Sequence, residues 1–306
     1  MSDDRQTLAG CLFAAAAYLT WGFSPLYFRT VLSVPPAQIL AHRIVWSLVL
    51  LLVIVALARR WSGVAACLRQ RRTLLLLAGS TLLISGNWFT FIWAIEAHRV
   101  LEASLGYYIN PLFLTLLGVA FLGERLGRWQ WLAVLLAGLG VANLALQAGS
   151  FPWVSLVLAG SFGFYGLLRK LTPLGAADGL LLETALLAPV ALGFLLWLGA
   201  SGGGAWDSAG LGLNLLLMLS GPVTALPLVF FASAARRLSL TVVGFFQYFA
   251  PTVQFLLAVL VFGERFTQAH LVTFLCIWAA VVLFSATSWQ RARRRRLLAQ
   301  SVEEPV

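Results

Sequence analysis

Arg43 and Glu183 are charges set inside long apolar stretches, and Glu183 follows Arg43 by 140 residues. A charge near the centre of a membrane-spanning helix costs about 2.5–3.5 kcal/mol, so such a side chain faces a partner or a cavity rather than lipid. The planar guanidinium of Arg43 suits a two-pronged grip on a carboxylate, either that of Glu102 or that of a bound anion. His42, Arg43 and Glu102 fall near the same end of two such stretches, with His98 and Arg99 in the short loop beside them. A structural ion pair closing that end is the competing expectation. Glu183, a carboxyl held away from water, is the first candidate for carrying a proton. Its competing expectation is a structural pair with Arg169, Lys170, Arg236 or Arg237. Contact between Arg43 and Glu183 is not expected, because at 1.5 Å per residue each lies about 6 Å from opposite membrane faces.

Uncharged polar groups and aromatics form a second set. Asn87, Asn110, Gln247 and Gln254 are amides within apolar stretches, accompanied by Tyr107, Tyr108, Tyr165 and Tyr248 and by Trp21, Trp88 and Trp93. Amides there serve either as interhelical glue or as hydrogen-bonding groups of a pocket, and aromatics either pack or form its wall. The substrate-binding candidates are Trp21, His42, Arg43, Asn87, Trp88, Trp93, Tyr108, Asn110, Tyr165, Gln247 and Tyr248. Pro25, Pro111, Pro227 and Pro251 deprive the carbonyls of Trp21, Tyr107, Val223 and Gln247 of their helical donors. Coupling or gating candidates are Glu102, Glu183, Pro111 and Pro251. No catalytic residue or metal ligand is expected: the histidines are His42, His98 and His270, and no His-Glu-x-x-His or phosphate-binding loop is present. Cys11, Cys67 and Cys276 are too far apart for ligand spacing and read as apolar fillers.

These side chains need a scaffold that lives in lipid. Of 306 residues, 60% are hydrophobic and 10% charged, and the mean hydropathy is +0.90. Soluble domains hold about 45–50% apolar and about 25% charged residues. A spanning helix needs about 20 apolar residues to cross about 30 Å of hydrocarbon. Ten runs qualify: Leu8–Phe28, Gln38–Ala58, Thr73–Ile95, Glu102–Leu122, Trp129–Leu146, Pro152–Leu168, Gly179–Leu198, Leu211–Ala234, Leu240–Phe262 and Ala269–Ser288. Their length and lack of strict alternation exclude a barrel, so the expected class is an all-α membrane protein with ten transmembrane helices. The start, Met1 to Arg5, lacks a basic leader region, and the first run is long enough to remain as a span.

The net charge of +10 is a matter of orientation. With the N-terminus inside, the inner segments hold Arg5, Arg59, Arg60, Arg69, Arg71, Arg72, Arg125, Arg128, Arg169, Lys170, Arg236, Arg237, Arg291 and Arg293 to Arg296, which is 17 of the 21 basic residues. The outer loops hold Arg29, Arg99 and Arg265. The positive-inside rule therefore selects N-in/C-in, and the basic tail is a headgroup signal rather than a nucleic-acid site.

A shift of 140 residues also superposes Tyr108, Pro111 and Gly123-Glu124-Arg125 on Tyr248, Pro251 and Gly263-Glu264-Arg265, with Leu116, Leu117 and Val119 falling on Leu256, Leu257 and Val259. Each half then contains five spans, and an odd number forces the second half to enter from the opposite side. The expected organisation is a 5+5 inverted-topology repeat: residues 1–148, residues 149–290 and a basic cytoplasmic tail, 291–306. Inverted repeats place a substrate site near the membrane midplane between the halves. Each Gly-Glu-Arg triplet reads chiefly as a helix stop, a glycine C-cap followed by a charged turn.

The stretch Tyr18 to Arg29, the triplet Ala41-His42-Arg43 and the paired Gly-Glu-Arg closings resemble the EamA branch of the drug/metabolite transporter superfamily. Gly86-Asn87-Trp88, Leu101 to Tyr107, Asn110-Pro111 and Gly244 to Tyr248 are similar to its RarD subgroup, named for a proposed role in chloramphenicol sensitivity. The resemblance covers almost the whole chain. It implies a ten-helix multi-pass permease of the inner (cytoplasmic) membrane with a central cavity. The expected function is that of a secondary transporter for a small organic solute, such as a drug or an amino-acid-like metabolite, working by alternating access with protons or by exchange. A membrane enzyme without a recognisable catalytic motif is the alternative. The expected partners are a small-molecule substrate, the lipid bilayer and, in the coupled case, protons, with no nucleic acid and no cofactor.

Overall fold

Hydrocarbon offers no hydrogen-bond partner, so a chain of this composition satisfies its backbone internally. A computed structural model of the protein describes all residues except 1, 32, 60, 62–63, 66–69, 98–99, 148–152, 205–209, 262–267 and 304–306. The described residues form helices and no strand. The helices are α1 (Ser2–Thr30), α2 (Pro36–Leu57), α3 (Arg71–Glu96), α4 (Val100–Leu122), α5 (Arg128–Gln147), α6 (Trp153–Leu171), α7 (Ala176–Ala200), α8 (Leu211–Arg237), α9 (Leu240–Gln247), α10 (Phe249–Leu260) and α11 (Gln268–Glu303).

Eight of them, α1, α2, α3, α5, α6, α7, α8 and α11, are long and apolar enough to cross a membrane. Helix α4 contributes the shorter apolar stretch Gly106–Leu122. The expected single span Leu240–Phe262 is instead divided at Tyr248 into α9 and α10. Pro251 has no N–H for the carbonyl of Gln247, which weakens the ladder at that turn. Pro111 leaves α4 unbroken. Helix α11 runs on through the basic residues to Glu303, in a stretch of Arg, Ala, Leu and Gln that favours helix.

Packing follows a definite pattern. Helix α1 lies on α8 and α10, α6 on α3 and α4, α2 on α7 and α8, α3 on α7, α4 on α9, and α5 on α11. The main core draws Tyr18 from α1, Leu51 from α2, Ile84 from α3, Tyr165 from α6, Leu180 from α7, Phe231 from α8 and Val243 from α9. Outward faces carry Leu57, Leu146, Val190, Leu211 and Leu260, all exposed, as a lipid-facing belt requires. Gln6 accepts from Arg237 Nε at 3.1 Å, Arg291 donates to Gln130 at 2.6 Å, and Leu238 packs against Gly10. The Leu240 amide, just past α8, donates to Glu124, just before α5, so the first turns of α1 and the basic end of α11 lie at the same end of the bundle.

Close approach depends on missing side chains at one crossing in particular. A Cβ at Gly221 would lie 2.5 Å from the Trp46 carbonyl carbon, so α8 rests directly on the α2 backbone, and Ser47 Oγ donates to Gly221 O at 3.2 Å. Gly221→Ala is expected to lose about 1–3 kcal/mol, because backbone cannot move aside as a side chain can. Gly86→Ala, which meets nothing within 4 Å, is expected to gain up to about 1 kcal/mol of helix propensity. Thermal unfolding of both variants in detergent measures the contrast.

Candidate functional site

Arg43 projects from α2 into a space between α1, α3, α4 and α8. Its Nε donates to Thr224 Oγ1 at 2.8 Å, and its guanidinium carbon lies 5.3 Å from the Phe28 ring and 5.5 Å from the Trp88 ring. The phenols of Tyr27 and Tyr107 lie within electrostatic reach. Tyr27 Oη donates to Leu216 O at 2.9 Å, which pins the end of α1 to the start of α8 and sets Phe28 beside the guanidinium. Phe91 holds Tyr107 edge-on at 6.2 Å. Aromatic faces attract a cation without neutralising it. Among the described side chains no carboxylate lies within ion-pair distance of Arg43, and the arginine is only half-buried. The site can therefore accept an anionic group flanked by aromatic surface.

The expected pairing with Glu102 lies outside the described residues, because the Glu102 side chain is not among them, and His98 and Arg99 fall outside as well. His42 is buried beside Arg43 in the chain.

Glu183 has the opposite environment. Its carboxylate, on α7, accepts from Ser80 Oγ on α3 and from Tyr165 Oη on α6 at 3.3 Å, and it stands 3.6 Å from Arg169 Nη1. Glu183 and Arg169 are each 1% exposed. Arg169 also donates to Ala176 O at 2.8 Å. Gly179 leaves room for it: a Cβ there would lie 1.9 Å from Nη1. Of the four expected cations, Arg169 is the partner, and Glu183 and Arg43 belong to separate clusters.

The remaining candidates divide. Trp88 joins Arg43. Asn87 donates to Leu158 O and Ser161 Oγ, both at 2.9 Å, and so ties α3 to α6. Trp21 packs with Tyr18, Phe162 and Phe231 in the core, while its carbonyl, deprived by Pro25, accepts from Gln254 Nε2 at 3.1 Å. Trp93 packs at a tilt on Trp153, ring centroids 5.2 Å apart. Tyr108 packs on the Phe245 and Tyr248 cluster between α4, α9 and α11. Asn110, Gln247 and Tyr248 are buried where α4 meets the α9–α10 junction, and Asn110 Oδ1, Gln247 Oε1 and Tyr248 Oη have no partner among the described groups. Pro111 accepts from Thr115 Oγ1 at 2.9 Å, and Pro251 stands in the first turn of α10. An open groove of about 460 Å³ runs along α1, lined by Ala16, Leu19, Thr20, Phe23, Ser24, Tyr27 and Val223.

Sequence reasoning did not single out Thr224, Ser80, Tyr27 or Phe28 for these roles. Tyr27 and Phe28 belong to a conspicuous aromatic motif, but isolated hydroxyls such as Thr224 and Ser80 carry no periodic signal.

Comparison with known proteins fits this architecture. The model of the EamA-like transporter family matches residues 8–146. An uncharacterized transporter of Vibrio cholerae is 48% identical over 96% of this chain and 98% of its own. Protein RarD of Escherichia coli is 45% identical over 95% of this chain and 99% of its own. A protein of Pseudomonas aeruginosa described as chloramphenicol-sensitive protein RarD is 35% identical over 94% and 96%. A solved crystal structure shares the fold with a TM-score of 0.71 at 20% identity, covering 92% of this chain and 98% of that one.

Removing one member of a buried pair strands the other. Glu183→Gln is expected to lose about 3–5 kcal/mol by leaving the Arg169 charge uncompensated, and Glu183→Gln with Arg169→Met is expected to recover most of it. Unfolding of the two variants in detergent tests the coupling; equal losses would show that the pair contributes nothing.

Proposed function

The chain belongs to the EamA-like transporter family, within its RarD subgroup, and we propose that it carries a small organic solute bearing an anionic group across the inner membrane by alternating access. The observation that carries this reading is Arg43, a half-buried arginine inside an apolar bundle, whose partners among the described side chains are one hydroxyl and two ring faces. In hydrocarbon such a charge persists where it has work with a mobile partner. The ring faces favour a solute with an apolar or aromatic body.

Support for the 5+5 inverted repeat (1–148 and 149–290, with the tail 291–306) comes from the packing. Replace each helix by the one five spans later, counting α9 and α10 as one span. The contact of α1 with α8 becomes that of α6 with α3, and α4 with α6 becomes α9–α10 with α1. The pairs α2 with α7, α4 with α9 and α5 with α11 map onto themselves. Such exchange is what a two-fold axis between halves produces, and an odd span count per half lays that axis in the membrane plane. The positive-inside rule then puts both chain ends in the cytoplasm. Glu183, neutralised by Arg169 and enclosed by Ser80 and Tyr165, serves in this reading as a structural anchor rather than the proton carrier.

Purified protein in proteoliposomes, offered a panel of labelled aromatic and aliphatic carboxylates beside their methyl esters, tests the proposal. Saturable uptake of carboxylates over esters is expected. Arg43→Ala is expected to lower kcat/KM for them about 10–100-fold, the range for a charged hydrogen bond, with Arg43→Lys intermediate. Equal handling of acid and ester by wild type and variant would refute the anion site.

A further inference from the structure

We propose that Glu124 is a gating residue of the transport cycle: its carboxylate, carried just beyond the end of α4, latches the first turn of α9 and holds one end of the bundle shut. The inference rests on the alternating-access reading above.

Glu124 Oε1 accepts from the Leu240 amide at 2.6 Å, and Oε2 accepts from the Thr241 amide at 3.1 Å and from Thr241 Oγ1 at 2.5 Å. Helix α9 already has its own cap, since Ser239 Oγ accepts from the Val242 amide at 3.2 Å. Glu124 is therefore a second anion at the same positive helix end, and it comes from a different half of the chain, 116 residues earlier than Leu240. A cap that only starts a helix is normally local in sequence. This one joins two distant segments.

The seat for the carboxylate is built. Gly123 takes a φ of +65°, a left-handed conformation open to glycine, and the Glu124 amide closes the turn on Gly118 O at 3.0 Å. A Cβ on Gly118 would lie 2.6 Å from Glu124 Oε2, so only glycine leaves room for the carboxylate. Lys170, at the end of α6, donates to Ala235 O at 2.7 Å and to Leu238 O. The short turn between α8 and α9 is thus held by an anion on its donors and a cation on its acceptors, which ties four helix ends together. Beneath them Leu114, Leu117, Leu167, Ala235 and Leu240 form a small apolar plug.

Helices α4 and α9 run antiparallel from this latch. Glu124 meets Leu240, Gly244 lies against the Pro111 carbonyl, and Tyr108 packs beside Phe245 and Tyr248. The latch therefore closes the end of a helix pair of which α4 carries Pro111 and α9 leads through Tyr248 into α10 and Pro251. A gate needs bonds that hold firmly and part without unfolding a core, and polar bonds between helix ends meet that requirement.

Full-length protein in a background with Cys11, Cys67 and Cys276 replaced by serine allows a direct test. Glu124→Cys combined with Thr241→Cys is reconstituted and treated with a short thiol cross-linker, and uptake of the carboxylate selected above is compared before cross-linking, after it and after cleavage of the link. Loss of uptake on cross-linking, regained on cleavage, is expected, with single-cysteine controls unaffected. A cross-linked protein that transports at its uncross-linked rate would show a static cap and overturn the proposal. A second arm needs no substrate. Thr115→Cys, about two turns deeper on α4 and buried, is labelled by a membrane-impermeant maleimide from the Glu124 side. Glu124→Gln, Thr241→Val and Gly118→Ala are each expected to speed labelling about 10-fold, as loss of one charged hydrogen bond implies. Unchanged labelling in all three would overturn the latch. Absence of carboxylate uptake by wild type with accelerated labelling would instead remove the substrate reading and leave the latch standing.

Discussion

A charge or a hydrogen-bonding group inside hydrocarbon must be answered by another part of the same molecule, and that requirement organises this structure. The Arg169–Glu183 pair is the clearest case for a charge, although Arg169 Nε and Nη1 make no hydrogen bond to a described group. Arg169 lies at the end of α6 with Glu183 on one side and the Ala176 carbonyl on the other, in space that a side chain at Gly179 would fill. Ser80 and Tyr165 complete the carboxylate's shell. The result ties α3, α6 and α7 into one unit. Asn87 adds a second tie between α3 and α6, and Gln254 answers the carbonyl of Trp21 that Pro25 leaves open. Arg43 is the contrast. Its neighbours among the described side chains are a hydroxyl and aromatic faces, which stabilise a guanidinium without discharging it.

The charged members of both clusters were legible in the sequence, because Arg43 and Glu183 interrupt apolar runs and a lipid-facing charge is excluded. Naming Arg169 among four cations near Glu183 followed from depth alone. Ser80 and Thr224 were not legible. A serine or threonine in a spanning helix bonds its own preceding turn at little cost, as Thr20, Thr115 and Thr184 do here, so its presence gives no sign of a distant partner. Trp21 and Trp93, aromatics expected either to pack or to line a cavity, pack on neighbouring rings, and periodicity does not say which face of an all-apolar helix looks inward. The Gly-Glu-Arg closing of α4 was read as a helix stop, and Gly123 performs that task. The reach of Glu124 to Leu240 depends on tertiary placement, which no local pattern encodes. The division of the ninth apolar run had a sequence cause in Pro251, yet Pro111 at the matching position leaves α4 continuous. Proline sets the weakness, and the surroundings decide whether the helix breaks there.

Matching positions in the two halves carry matched chemistry of opposite sign. Arg43 and Glu183 are 140 residues apart, and so are Ser80 and Ser220. Ser80 serves the carboxylate of Glu183, while Ser220 stands beside Tyr27, whose phenol faces Arg43. A repeat with identical halves would have equivalent states open to either side. In the proposed transport cycle, a neutralised acid opposite the Arg43 base at one pair of positions removes that equivalence.

The same contrast separates strut from moving part. Helices α5 and α11 are joined near both ends: Gln130 Nε2 donates to Ser288 Oγ at 3.0 Å and Gln130 Oε1 accepts from Arg291, and Asn143 Nδ2 donates to Thr273 Oγ1 at 3.2 Å while Thr273 donates to Gly140 O. Gly140 also brings the α5 backbone against the Thr273 carbonyl. Sliding or tilting one against the other would break bonds at two levels at once. Helices α4, α9 and α10 have no such double fastening among the described residues. They carry the matched prolines, the turn at Tyr248, and buried amide oxygens of Asn110 and Gln247 that no described group answers. A buried polar atom without a partner is destabilising as it stands, so this crossing has the most to gain from rearrangement, and the ends that hold it in place are those tied by Glu124 and Lys170. In the proposed alternating-access cycle, α4, α9 and α10 are therefore the elements that move against the α5–α11 strut.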